Sequence, residues 1–290
     1  MCHIWYGLLY FYKLVDISIY SNTIALYQSF SQLFYYLKTS SQISYPSFYR
    51  LLEDITLPIH PAGLPMLRSM TLTCLSSALR ERTVTPVEAL DFCLSRAELS
   101  ESAYSLNNFI FIKPRASLID EACASADRYA NGSPKSPIDG VPISVKANLA
   151  WQDHKASASS KVLANYTSPI QADVVARLID AGALIIGQTN MDEFGMGSAN
   201  TNSAFGPSVN SYPYLSSSSY PPPRLSPGGS SGGSASSVVF RSSFASIGTD
   251  TGGSVRLPAA YCNVTGFKPT YGSISRHGVI AYASSLDTVG

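Results

Sequence analysis

From residue 70 onward the apolar positions recur at spacings that alternate between those of helices and those of strands. Thr85-Pro86-Val87-Glu88 reads as a helix start, with Thr at the N-cap, Pro in the first turn and Glu three residues after the cap. Val87, Leu90, Leu94 and Ala97 then share one helical face. Residues 109–112 (Phe-Ile-Phe-Ile) predict a buried strand, and residues 117–130 a helix closed by Asn131-Gly132. Residues 141–145 predict a second buried strand that runs into Lys146. Residues 173–181 predict a short helix with Val174, Leu178 and Ala181 inward, stopped by Gly182 and followed by a strand over 183–186. Strands alternating with helices predict an α/β layered fold with a largely parallel sheet.

Two segments break this rhythm. Nine of the 18 tyrosines fall before residue 50, and residues 1–65 read as an atypical N-terminal extension preceding a domain over 66–290. Its longest uncharged apolar run, residues 4–12, is too short to cross a bilayer. Nor does it have the basic start of a secretory signal. Met66-Leu67-Arg68-Ser69-Met70 is the expected beginning of the domain, with a short basic presequence able to start there. The second segment, residues 212–226, carries Ser216-Ser217-Ser218-Ser219 and Pro221-Pro222-Pro223 and is expected to be a surface loop.

Hydrophobic residues make up 45% of the 290 and charged residues 13%, with a net charge of +1, so a packed core is expected and wholesale disorder is not. No basic surface for nucleic acid is legible. The five cysteines are scattered and form no CxxC pair, which argues against a disulfide framework and a structural zinc site.

The densest chemistry lies in Pro227-Gly228-Gly229-Ser230-Ser231-Gly232-Gly233-Ser234 and in Gly248-Thr249-Asp250-Thr251-Gly252-Gly253-Ser254-Val255-Arg256-Leu257-Pro258. Two Gly-Gly-Ser units 24 residues apart would suit a flexible linker, but residues 244–247 between them read as a buried strand. A nucleotide-binding P-loop would need a lysine that Gly232-Gly233-Ser234 lacks. The chemical reading is a serine nucleophile, Ser254, with the backbone N–H groups of Thr251, Gly252 and Gly253 as an oxyanion hole. A serine needs a base. His154 and His277 stand alone in polar surroundings, whereas Lys146 ends an apolar strand, where desolvation would hold its amine neutral. Lysine or histidine as base remains open on these grounds.

The stretch 228–259 resembles the long glycine–serine pattern of the amidase signature family, ending in Arg256-Leu257-Pro258-Ala259, and the resemblance extends from about residue 70 onward. Val239 departs from the small residue usual in the family, and Ala147 stands where the family usually has Asp after the lysine. The resemblance implies a mixed, largely parallel sheet covered by helices on both faces. It implies a triad in which Lys146 is the base, Ser230, on a cis peptide, is the bridging serine and Ser254 is the nucleophile, with no metal or cofactor in this chain. Residues 189–198, including Gly197 and Ser198 at the substrate site, together with 202–207 and 268–287, are similar to the A subunits of glutamyl-tRNA(Gln) amidotransferases. That similarity implies glutamine as substrate and ammonia as the product handed on. It also implies partner subunits that bind tRNA and use ATP and Mg, with no direct nucleic-acid or membrane contact by this chain. The length of the proline-rich insert implies an organellar, mitochondrial-matrix version, with the cytoplasm as the alternative. Family members continue well past the nucleophile region, so the chain is expected to be the front part of a longer protein whose C-terminal part completes the substrate pocket. The alternatives are a stand-alone amidase for another carboxamide and an inactive fragment.

Overall fold

A computed structural model describes residues 64–216 and 221–290; the expected extension lies, but for its last two residues, outside them. Three helices, α1 (Leu64–Ser69), α2 (Leu72–Arg80) and α3 (Pro86–Ser102), precede strand β1 (Phe109–Ile112) and helix α4 (Arg115–Ala130). Then come β2 (Pro142–Lys146), α5 (Asp173–Asp180), β3 (Leu184–Thr189), the short α6 (Pro213–Ser216) and α7 (Gly232–Val239). The described chain finishes with β4 (Ala245–Ile247), β5 (Thr249–Asp250), α8 (Arg256–Tyr261) and β6 (Thr288–Val289).

The start of α3 forms as its sequence dictates. Thr85 Oγ1 accepts the Glu88 N–H at 3.2 Å, and Glu88 Oε2 accepts the Thr85 N–H at 2.8 Å. Such a cap contributes about 1 kcal/mol. Leu90, Leu94 and Ala97 are buried against Leu118 and Ala122 of α4 and Leu184 and Ile186 of β3. At the far end of α4, Asn131 caps the helix and Gly132 turns with φ +69°.

The main sheet has the order β1-β3-β2-β4, with β2 parallel to both β3 and β4 and β1 antiparallel to β3. The central strands are buried along their whole length. Alternation sends Ile143 and Val145 into the main core with Ile185, while Ser144 and Lys146 face α7. Helices cover both faces: α3, α4 and α7 lie on the face of Leu184, Ser144 and Lys146, and α5, through Val174 and Val175, on that of Ile143 and Ile185.

Three expectations change. The strand at 109–112 sits at an edge, so only Phe109 is buried, and β4 at the opposite edge is half-buried throughout. On α5 the second buried residue is Val175, which follows Val174 directly; Leu178 is only partly covered and Ala181 caps the helix. The insert is not wholly a surface loop: Tyr214 and Leu215 pack on Leu106, Val209 and Phe240, and the Tyr214 ring lies 5.1 Å from that of Tyr104. Apolar residues flanking the serines are enough to seat its first turn.

Candidate active site

Strand β2 delivers Lys146 into the interior beneath α7, with no exposed surface. Its Nζ lies 2.7 Å from Ser230 Oγ, 3.0 Å from Thr249 Oγ1 and 3.2 Å from the Thr249 carbonyl. Burial lowers the pKa of this amine to about 7, against the charges of Asp192, Asp250 and Asp287, which favour the ammonium. A lysine in that condition is poised to take up and release a proton near neutrality.

Ser230 sits on the turn that enters α7, and the Gly229–Ser230 peptide is cis. Asp192, itself buried, underpins this turn. Its N–H donates to the Ser230 carbonyl at 3.2 Å, and its carboxylate accepts the N–H groups of Asn200 at 2.9 Å and Asn202 at 3.1 Å. Gly197 and Ser198 are exposed on the loop that wraps this carboxylate; a Cβ on Gly197 would come within 2.3 Å of Asp192 Cγ.

Beyond β5 the chain turns around Asp250. This buried carboxylate accepts the N–H of Gly253 at 2.8 Å and of Val255 at 3.1 Å, and pairs with the Arg256 guanidinium through Nε and Nη2, both at 3.0 Å. Burial alone would raise its pKa, but Arg256 and the N–H groups of Val255, Arg256 and Gly253 outweigh it and hold the carboxyl at about 2. From the other side, Thr251 Oγ1 donates to Asp287 Oδ1 at 2.6 Å, and Asp287 is anchored by the Tyr282 and Ala283 N–H groups. Asp287 is also part of the wall of a cavity of about 470 Å³ bounded by Ile274, Arg276, His277 and Ala281.

Ser254, half-buried, is brought beside Ser230 by a hydrogen bond of 3.1 Å from the Ser231 N–H to the Ser254 carbonyl. Its Oγ makes no hydrogen bond among the described residues, so the link from Ser230 to Ser254 is not closed. The N–H of Gly253, expected in the oxyanion hole, is committed to Asp250. The carboxylate lies three residues earlier in the same turn and captures it. The N–H groups of Thr251, Gly252 and Ser254 have no acceptor among the described residues.

The histidines do not join the cluster. His154 is not alone in polar surroundings: it stacks on Trp151 with centroids 4.1 Å apart, and its Nδ1 contacts the Gln152 carbonyl. His277 pairs with Asp173 at 3.1 Å. Ala147 is buried in an apolar cluster with Ala158 and Met191. Sequence reasoning missed Asn148, Thr249, Asp192 and Asp287 as supports. Thr249 stands in the second glycine–serine stretch and Asp192 in residues 189–198, but nothing in their spacing says what they touch.

Residues 88–290 match the family model described as Amidase. The mitochondrial A subunit of glutamyl-tRNA(Gln) amidotransferase from Ixodes scapularis is 43% identical over 222 residues, covering 77% of this chain and 43% of that protein. The protein of the same name from Tuber melanosporum is 48% identical over 192 residues, covering 66% and 38%. Among solved structures, the peptide amidase of Stenotrophomonas maltophilia aligns with a TM-score of 0.67 at 31% identity, over 77% of this chain and 44% of that one. The glutamyl-tRNA(Gln) amidotransferase A subunit of Thermotoga maritima aligns with a TM-score of 0.60 at 34% identity, over 77% and 43%. The chain thus spans less than half the length of these relatives. The pattern around Ser230 and Ser254, the sheet that carries Lys146, and the family match over residues 88–290 agree: this chain belongs to the amidase family.

Proposed function

We propose that the chain carries the catalytic serine of a glutaminase, the A-subunit part of a glutamyl-tRNA(Gln) amidotransferase. The observation that carries the reading is the buried contact of 2.7 Å between Lys146 Nζ and Ser230 Oγ. In the proposed sequence, neutral Lys146 takes the Ser230 proton while Ser230 takes the Ser254 proton. Ser254 Oγ then bonds to the carboxamide carbon, and free N–H groups of the Thr251–Ser254 turn hold the oxyanion. The proton returns through Ser230 to the leaving nitrogen, the C–N bond breaks and ammonia departs. Water attacks the acyl-Ser254 ester through the same relay and releases the acid. Every step is a proton transfer or acyl transfer between side chains of this chain and the substrate, with no metal or cofactor assigned to it.

Glutamine as substrate is supported by the names of the curated relatives, with Gly197 and Ser198 proposed at the edge of its pocket. The tRNA and the ATP and Mg for activating it are assigned to partner subunits, in keeping with a net charge of +1. Two relatives named mitochondrial support an organellar, matrix location. Among the described residues no helix is long and apolar enough to cross a membrane.

The test is labelling of the chain by a fluorophosphonate probe, together with ammonia release from glutamine in the presence of the partner subunits. Both are expected, and Ser254→Ala should abolish both; turnover retained in that variant overturns the assignment. The likeness to peptide amidase favours a second reading, a stand-alone amidase, which predicts ammonia from other carboxamides and none from glutamine.

A further inference from the structure

Thr249 touches the buried amine twice, through Oγ1 at 3.0 Å and through its carbonyl at 3.2 Å. The same Oγ1 accepts from Asn148 Nδ2 at 3.0 Å. Lys146, Asn148 and Thr249 are all buried. Among the described residues Asn148 Oδ1 has no partner, so the only side-chain hydrogen bond Asn148 makes there is to Thr249.

The hydrogens at these atoms can be counted. A carbonyl only accepts and an amide NH2 only donates. One Nζ hydrogen therefore goes to the Thr249 carbonyl, and one lone pair of Oγ1 is filled by Asn148. Left on Oγ1 are one hydrogen and one lone pair, and its one remaining hydrogen-bond neighbour among the described residues is Nζ. A neutral amine has a lone pair to offer that hydrogen, whereas an ammonium has only hydrogens to offer that lone pair. At rest, two hydroxyls, Ser230 and Thr249, compete for one lone pair on Nζ. Ser230 can deliver its proton only once Thr249 has turned and accepts from the nitrogen instead.

We propose that Thr249, with one lone pair pinned by Asn148, is a positioning residue whose hydroxyl reverses with the charge on Lys146. It donates to the resting amine and accepts from the ammonium formed when Ser230 hands over its proton. This rests on the Ser–Ser–Lys reading of the site. It assigns Thr249 and Asn148 a role in the relay beyond packing. Because hydrogen bonds to a charged group are the stronger ones, losing the hydroxyl penalises the ammonium more than the amine. The other charges facing Nζ are Asp192 ahead of the loop over Ser230, Asp250 on β5 and Asp287 beside β6, and a change at Thr249 leaves all three in place.

The experiment is the rate of fluorophosphonate labelling of Ser254 in the full chain, read by intact mass across pH, with thermal unfolding measured alongside. Thr249→Val should slow labelling about tenfold or more and move the midpoint of the pH–rate curve to lower pH. Thr249→Ser should restore both, and Asn148→Ala should give a smaller loss of rate. A Thr249→Val chain that folds and labels at the parent rate with an unmoved midpoint overturns the inference. So does a Thr249→Ser chain that folds yet stays as slow as the valine variant. Ser254→Ala separates the two levels: labelling that survives it overturns the triad and this inference together. Labelling abolished there but unchanged in Thr249→Val overturns this inference alone.

Discussion

The carboxylate of Asp192 occupies the space that a side chain on Gly229 would need: an ideal Cβ there would stand 2.1 Å from Asp192 Oδ2 and 2.9 Å from the N–H nitrogens of Ala199 and Asn200. Neither the backbone amides nor a buried carboxylate can yield that space. Gly229→Ala is therefore expected to cost about 1–3 kcal/mol of stability through overpacking and to displace Ser230 from Lys146. Chemical denaturation and probe labelling together check it; a stable variant that labels normally would contradict the packing described.

Lys146 gives the pH dependence a definite sign. In the unfolded chain the amine holds its proton up to about pH 10.5, whereas in the fold burial lets it go from about pH 7. Between those values the unfolded state binds more protons, so stability rises with pH. Over roughly pH 7.5–8.5 the parent should gain about 1 kcal/mol relative to Lys146→Met, measured by urea unfolding at each pH. Labelling of Ser254 should rise through about pH 7 in the parent and be lost in the variant.

Asp250 predicts the opposite limb. Its carboxyl, held at about 2, contributes stability that is present above the unfolded carboxylate range and is lost as pH falls from about 4 towards 2. Asp250→Asn should flatten that acid limb and lose labelling, because the amide keeps one acceptor oxygen of two and turns an NH2 donor towards N–H groups that Oδ1 and Oδ2 now share. Arg256→Ala should do less damage, since the guanidinium is half in water and the backbone N–H groups remain. Equal effects from the two variants would show the ion pair, not the turn, to be what matters.

The two glycines before Ser254 should separate cleanly. A methyl group on Gly252 meets nothing within 4 Å, and Gly252→Ala is expected to change stability by less than about 0.5 kcal/mol. Gly253 has φ +130°, a conformation side chains rarely adopt, so Gly253→Ala should cost about 1 kcal/mol or more. Paired denaturation curves decide it.

What was legible in the sequence was what is local. The Thr85–Glu88 cap, the Asn131-Gly132 stop and the serine–glycine stretches are each written within a few residues, and so was the apolar strand that buries Lys146. Edge and centre were not legible, because residues 109–112 (Phe-Ile-Phe-Ile) are the more apolar run yet lie at the edge, while residues 141–145, with Ser144 among them, lie at the centre. The claim of Asp250 on the Gly253 N–H was hidden in the turn geometry. Thr249 and Asn148 were hidden too, since their partnership depends on β5 coming to lie beside the end of β2, across some hundred residues of chain. Asp192 lay within residues 189–198, yet only its packing against Gly229 reveals that it supports Ser230.

That separation has a consequence of its own. Lys146 meets Ser230 across 84 positions of sequence and Thr249 across 103. Outside the fold its amine is an ordinary cation at neutral pH, unable to receive a proton. The lowered pKa comes into being only when those distant stretches have closed over the amine, so on the proposed relay an unfinished chain holds no base. Completion of the fold is, on that proposal, itself the event that arms the serine.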